Sequence, residues 1–493
     1  QVEIQVTAMR KVNEGPRTSL PIRKLSVSVC VIFLLSLSTF DGFGVDGLVP
    51  LIQRHYTIND AETAIIKTSA SISQTIMLTL VWIFGDSFKR RRLFLISAAI
   101  WIALSLMSIL LGTQSFMIFV IIRSLGIAAA GVFEVLAPVI LADLFADRAL
   151  GVALTCLSVA ELASSQLSAI VTSWIVSSHI SWQWGLLVAP LIAIGLLLYL
   201  VYAKSAIRNV ERSNHGIGGI LRGAFGVLSI KSYLLLTVAG SFEMFSKKAY
   251  IFWFPTMLLV VWENVPDLFF GLSYTTITAL RSFTMLAGTL AGLPIVLWIA
   301  QSWRHGTGCL FSGRSEYLRA YPIVVSVGVS LYGAMLFMSF IVLDSSFLVS
   351  QVATFLTGFG GAADSCLSQL MLLMAVPSSY RAAAVALRRL VARAVSIPSA
   401  QLVGAIADAS RGDSTLPFDR FRAYELGLLC SSSLLVAGPL CFIVLIYFFP
   451  GDYKRAIEID EHEVAEETTF LIEKRKMHSE SIVDSVLRSR AAM

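Results

Sequence analysis

The sequence predicts an all-α polytopic membrane protein whose twelve transmembrane helices form two six-helix halves. Three observations carry that expectation. The 493-residue chain is 56% hydrophobic and only 14% charged, with a mean hydropathy of +0.76, too apolar for a soluble protein of this length. A helix needs ~20 residues to cross a bilayer, so roughly half of the chain supplies about twelve crossings. Cations also gather in short loops between the apolar runs. Lys and Arg are retained on the cytoplasmic side of membranes, so such loops orient the chain.

The apolar runs fall near 27–50, 64–84, 93–112, 115–141, 150–177 and 182–203, then near 231–259, 269–300, 321–343, 346–376, 384–406 and 425–449. Arg10, Lys11, Arg17, Arg23 and Lys24 precede the first run. Phe84-Gly85-Asp86-Ser87-Phe88-Lys89-Arg90-Arg91-Arg92 follows the second, and Arg148 the fourth. Lys204, Arg208, Arg212 and Arg222 fill the interval between run six and run seven, and Arg304, Arg314 and Arg319 follow run eight. The intervening loops 113–114, 178–181, 260–268 and 344–345 contain no Lys or Arg, although Arg54, Arg411, Arg420 and Arg422 lie in the first and last outer loops. Both termini are therefore expected in the cytoplasm. The organisation predicted is a cytoplasmic N-terminal tail (1–26), a first half (27–203), a central loop (204–230), a second half (231–450) and a cytoplasmic C-terminal tail (451–493). Two halves rocking about a midplane site suit this layout.

Other classes are disfavoured. The net charge of +6 sits in loops and reports topology rather than nucleic-acid binding. Cys30, Cys156, Cys309, Cys366, Cys430 and Cys441 mostly fall inside apolar runs without disulfide or zinc spacing, and read as small hydrophobes. The mostly polar residues before the first run do not read as a cleavable signal peptide. No nucleophile–base pairing, metal-ligand spacing or phosphate-binding glycine loop is visible, so neither an enzyme nor a bound cofactor or metal is expected.

Charges inside the runs carry the chemistry, because a charge in hydrocarbon costs several kcal/mol and normally faces a cavity or a partner. Asp41, Arg123, Glu134, Glu161, Glu243, Lys247, Lys248, Arg281 and Asp364 all lie there. Asp41 and Glu134 are the candidate proton-coupling acids; the alternative is a static Asp–Arg pair that fixes helix packing. In run seven Glu243 and Lys247 are spaced i, i+4 in the favourable order, and Tyr250 and Phe254 continue that face. An aromatic wall ending in a cation suits a ligand with a fatty tail and a phosphate; the alternative is an internally satisfied ion pair beside lipid-facing aromatics. Arg281 is an isolated cation with no acid within four residues. Arg123, Glu243, Lys247, Tyr250, Phe254 and Arg281 form the candidate substrate-binding set. Arg388 and Arg389 are expected to snorkel toward the headgroups, with Arg393 deeper. Gly85, Asp86, Arg90 and Arg91 read as a charge-locked hinge between moving halves, or as a topogenic cation cluster.

These residues resemble those of the major facilitator superfamily and, within it, the spinster family of lipid transporters. Asp41 matches that family's membrane-embedded aspartate, with Gly42 in place of the neighbouring arginine. Gly85, Asp86, Arg90 and Arg91 match the superfamily's loop motif, with Trp82 where its first glycine would stand. Arg123 matches the family's fourth-span arginine. Ala137-Pro138 and Ala142-Asp143-Leu144-Phe145, Trp182-Gln183-Trp184 with Pro190, and Ser399, Leu402, Val403, Gly404, Ile406 and Asp408 match further segments. The resemblance implies a major facilitator fold and a conformational gate in which the acid of the loop caps a neighbouring helix. It also implies a glutamate seven residues after Arg123, where Ala130 stands; Glu134 lies one turn further on the same face.

The function expected is secondary or facilitative transport of an amphipathic lipid by alternating access, such as a lysophospholipid, sphingosine or sphingosine 1-phosphate, with or without proton coupling. The alternatives are a carrier of a small organic anion or sugar, of which the scarcity of Asn and Gln in the runs argues against sugar, and a non-transporting sensor with the same fold. The partners expected are the lipid substrate, the bilayer and a clathrin adaptor on the tail, with no nucleic acid and a monomeric chain. Glu467, Leu471 and Ile472 fit an acidic dileucine sorting pattern, which with the family resemblance points to a late endosomal or lysosomal membrane. A Leu-Ile pair in a charged tail has no core to enter, so a partner's apolar pocket is its destination. Leu471→Ala with Ile472→Ala is expected to move a tagged protein from lysosomes to the cell surface by imaging; matching distributions would remove the motif.

Overall fold

A computed structural model describes residues 20–58, 60–85, 88–145, 147–177, 181–202, 225–306, 317–411 and 417–462. Asp86 and the Glu467, Leu471, Ile472 motif lie outside the described residues. The first half consists of α1 (Leu20–Tyr56), α2 (Asp60–Phe84), α3 (Arg90–Leu110), α4 (Phe116–Leu144), α5 (Asp147–Ser177) and α6 (Trp182–Tyr202). The second begins with α7 (Lys231–Asn264), α8 (Tyr274–His305) and α9 (Ala320–Ile341). It continues with α10 (Phe347–Ala363), a π turn (Asp364–Ser368) and α11 (Gln369–Ala375), then α12 (Arg381–Ser396) and α13 (Ser399–Arg411), then α14 (Pro417–Ser433) and α15 (437–462). There is no strand among the described residues.

Among the described residues, eight helices are each long and apolar enough to cross a membrane. The other four expected crossings are helical too, and each falls short for a visible reason. The apolar part of α2 is only Ser69–Phe84. Helix α7 carries Glu243, Lys247 and Lys248. The tenth crossing is interrupted by the π turn and meets α12 at a bend of 116°. The eleventh breaks between α12 and α13, where Pro398 has no N–H to continue the ladder. The last helix overruns the expected boundary at 450 and continues to 462. Its Asp452 accepts the Ser232 N–H at 2.8 Å, so a carboxylate caps the positive end of α7.

Within the first half α1 packs on α5 and α6, α3 on α4 and α6, and α2 on α4; within the second α10 lies between α8 and α9 while α7 packs on α12 and α14. Lipid tails are as apolar as leucine, so close packing rather than water exclusion must hold such helices together. At the α8–α10 contact a Cβ on Gly358 would collide with the Met285 carbonyl, and one on Gly292 would stand 2.6 Å from the Phe359 carbonyl.

The halves meet through α2 against α12 and α5 against α8. The bonds that join them gather at the end bearing the Lys89–Arg92 loop. Thr155 Oγ1 lies 2.9 Å from Cys366 Sγ, Ser158 Oγ donates to the Ser365 carbonyl at 3.3 Å, and Gly85, just past α2, lies near Ala382 of α12. At the opposite end the aromatic clusters each belong to one half. Tyr56 packs with Phe116, Phe119 and Trp182, and Trp253 stacks on Tyr424. The bundle is thus latched at its basic end. Gly358→Val is expected to destabilise the protein by about 1–3 kcal/mol through overpacking, read as a lower thermal midpoint. Gly195→Val, where nothing lies within 4 Å of the added carbon, is the matched control expected to leave it unchanged.

Candidate transport site and gate

Asp41 on α1 and Arg123 on α4 are each 2% exposed and form an ion pair of 2.8 Å. Arg123 Nη2 also donates to the Asp41 carbonyl at 2.8 Å. Trp101 Nε1 and Ser105 Oγ donate to the second carboxylate oxygen at 3.1 and 3.2 Å. The pair is enclosed: one carboxylate oxygen faces the Arg123 guanidinium at ion-pair distance without a hydrogen bond of its own, the other has two donors, and Arg123 Nε is left without a partner. The sequence did not single out Trp101 and Ser105, since a tryptophan or serine in an apolar run carries no mark of its partner.

Glu134 is placed elsewhere. Its Oε2 accepts from Arg389 at 2.9 Å and Arg393 at 3.3 Å, both on α12, and Gln74 Nε2 of α2 lies 3.5 Å away. Gln74 Oε1 accepts in turn from Arg393. Asp41 and Glu134 therefore belong to separate networks. Arg389 does not snorkel to the headgroups as expected; it reaches across the halves to a carboxylate. Arg388 does not snorkel either, and donates to Ser368 Oγ of the π turn at 2.5 Å. Their i, i+4 spacing marks Arg389 and Arg393 as neighbours on one face, yet nothing in α12 alone shows that a partner waits on α4.

Beside this latch lies the basic loop. Arg90 Nη1 bonds both oxygens of Asp143, at the end of α4, at 2.8 Å each, while Nη2 donates to the Ser378 carbonyl of the other half. Arg91 Nη2 donates to the Leu200 carbonyl at 3.0 Å, holding the last turn of α6, where orphan carbonyls favour a cation. Trp82 packs edge-on against Phe225 at 5.1 Å. The loop cations thus bridge helices rather than merely marking topology.

In the second half Tyr250, Phe254 and Arg281 come together. Tyr250 lies 4.9 Å from Phe254 and 5.9 Å from Phe340 between ring centroids. The Arg281 guanidinium sits 4.0 Å over the Phe254 ring. Its nitrogens donate to Tyr250 OH at 3.2 Å, Ser350 Oγ at 3.0 Å and Ser339 Oγ at 3.2 Å. Among the described residues no carboxylate lies within ion-pair distance of it. Glu243 and Lys247 form the expected i, i+4 ion pair, one to two turns before the aromatic wall, and Lys247 faces Tyr332. Glu243 also faces Asp364 of the π turn. The expected substrate set thus divides into an enclosed Arg123, an acid–lysine pair and an aromatic–arginine wall.

Opening the basic end must break the Glu134 bonds, each a charge-assisted contact of ~1.5–3 kcal/mol. Glu134→Gln is expected to shift the population toward the open state. With Thr155→Cys opposite native Cys366 in a Cys156→Ser background, the disulfide yield reports closure. A lower yield with Glu134→Gln is expected, and an equal yield would remove Glu134 from the latch.

The Major Facilitator Superfamily model matches residues 31–313. The chain is 24% identical over 464 residues to "Protein spinster homolog 1" of Xenopus laevis, covering 89% of this chain and 84% of that protein. It is 24% identical over 481 residues to "Sphingosine-1-phosphate transporter SPNS2" of Xenopus tropicalis, covering 93% and 89%. Among solved structures, a bacterial homolog of the human lysosomal transporter spinster, in an inward-facing and unoccupied conformation, superposes with a TM-score of 0.52 at 14% identity, over 88% of this chain and 99% of that one. This multi-pass membrane protein is a transporter rather than an enzyme, and it belongs to the Major Facilitator Superfamily with spinster proteins as its relatives.

Proposed function

We propose that the protein carries a single-chain amphipathic lipid with an anionic headgroup, a lysophospholipid or sphingosine 1-phosphate, across the bilayer by alternating access. The observation that carries this reading is the wall of Tyr250, Phe254 and Phe340 ending at Arg281. Arg281 is 4% exposed, and its nitrogens are met by hydroxyls and a ring instead of a carboxylate. A guanidinium so placed retains an unneutralised charge and a planar fork that suits phosphate. The rings beside it are packed in this state, with Phe340 and Phe254 buried, and would present apolar area to an acyl or sphingoid chain once the wall opens. The likeness to a sphingosine-1-phosphate transporter supports a lipid over a sugar.

The latch of Glu134, Arg389 and Arg393 serves as the gate on the basic side, which the positive-inside rule assigns to the cytoplasm together with both termini. With that side closed, the protein stands ready to exchange substrate on the other face. Substrate or a coupling ion drives opening only to the extent that it binds the open state more tightly. A lysosomal or late endosomal address, adaptor binding by the tail and a monomeric carrier complete the reading.

Uptake into proteoliposomes tests it, with labelled lysophospholipid, sphingosine 1-phosphate and xylose compared with and without a pH gradient. Lipid uptake above empty vesicles, competed by the unlabelled anionic lipid and not by xylose, is expected. Arg281→Ala is expected to weaken it about tenfold to a hundredfold, the worth of one charge-assisted bond set, with partial retention in Arg281→Lys. Xylose uptake without lipid uptake would overturn the proposal.

A further inference from the structure

We propose that Glu243 and Asp364 hold one proton between them, forming a proton-binding site in the second half of the carrier. Glu243 projects from α7 and Asp364 from the first position of the π turn, and their carboxyl groups lie within hydrogen-bonding reach of each other. Two carboxylates are acceptors only, so this contact forms when one of them carries a hydrogen. Both are enclosed, at 5% and 8% exposure, and Asp364 Oδ1 is buried with no hydrogen-bond partner.

The surrounding groups give Glu243 a cation and leave Asp364 facing the other acid, so a single proton completes the cluster. On α7, Lys247 pairs with Glu243, and its side chain, 34% exposed, leaves the pair a route to water. On α12, Arg388 spends a guanidinium nitrogen on Ser368 Oγ at 2.5 Å. On α9, Tyr332 faces Lys247. Among the described residues neither Lys247 nor Arg388 comes within ion-pair distance of Asp364, although both lie near enough to act on its charge; its bonding neighbours are Glu243 and Ser368. The π turn places Asp364 where it is, since a wide turn displaces a side chain from the ordinary helical face, and such turns recur at functional sites.

The first-half acids are poorly placed for this task in the state described here. Asp41 holds Arg123, Trp101 and Ser105, and Glu134 holds two arginines. Losing the shared proton leaves two facing carboxylates, which repel and drive α7 and the π turn apart. The pair thereby links proton release to a change in helix packing. Its part in coupling rests on the carrier reading above; the proton itself does not.

Infrared difference spectroscopy of the full chain in lipid nanodiscs, titrated from acid to alkaline pH, separates the two. A carboxyl C=O band that vanishes on deprotonation is expected in the wild type and in Asp41→Asn, and is expected to be lost in Glu243→Gln and in Asp364→Asn. Lys247→Met removes a cation that favours the ionised form, so the band should persist to higher pH. Absence of the band in the wild type, its survival in both acid variants, or an unmoved midpoint in Lys247→Met would overturn the site. Lipid uptake that depends on pH in the wild type and not in Glu243→Gln supports coupling. Uptake independent of pH in the wild type overturns the coupling role while the spectrum still decides the proton.

Discussion

One carboxylate, Glu134, answers two arginines from the opposite half, and in the proposed carrier the closed state of the bundle depends on it. The helix pairs that join the halves, α2 with α12 and α5 with α8, are long, and apolar contact between them gives little preference for one end over the other. Charge supplies the preference. Arg389 and Arg393 bring two positive charges to the seam on the face of α12 that meets α2 and α4. Without an acid there, the seam would be a place that water enters rather than one that it leaves. Gln74 completes the arrangement by giving its amide to Glu134 and taking a hydrogen from Arg393.

The remaining embedded charges divide by how they meet the cost of leaving water. Asp41 and Arg123 settle it within the first half, with indole and hydroxyl donors filling the second oxygen. Its bonds tie α1, α3 and α4 together, although Asp41 Oδ1 and Arg123 Nε keep no hydrogen-bond partner of their own. Arg281 meets the cost through hydroxyls and a ring, which satisfies its hydrogens and leaves its charge available. Both arginines are buried, but one is met by a carboxylate and the other by hydroxyls and a ring.

The fold was legible because hydrophobicity and the placement of Lys and Arg are properties of segments, and segments are what a bilayer sorts. The boundaries of α3, α4 and α6 follow the expected runs closely for that reason. The embedded charges were legible as a set, since each stands out against its apolar run. Their partners were not. Asp41 with Arg123 is a guess that any two opposite charges invite, whereas Glu134 with Arg389 joins positions that local periodicity cannot relate. The expectation that Arg388 and Arg389 reach for the headgroups treated α12 as if lipid surrounded it. Helix α2 lies against it instead. The π turn was invisible for a similar reason, because Asp364-Ser365-Cys366-Leu367-Ser368 has no glycine or proline to announce a departure from α-helical pitch.

The overrun of the last helix has a mechanical meaning. Asp460, near its end, accepts the Ser378 N–H at 2.7 Å and lies 3.9 Å from Arg381. The carbonyl of the same Ser378 takes Arg90 from the other half. A single peptide segment between α11 and α12 is thus held from both sides, by the loop of the first half and by the rod that leads out to the tail. Force applied at the exit of that rod, by a bound protein or by a crowded membrane, acts on the hinge without any intermediary. In the proposed carrier that rod is a handle on the gate, so a pull on it and the transport rate are mechanically joined.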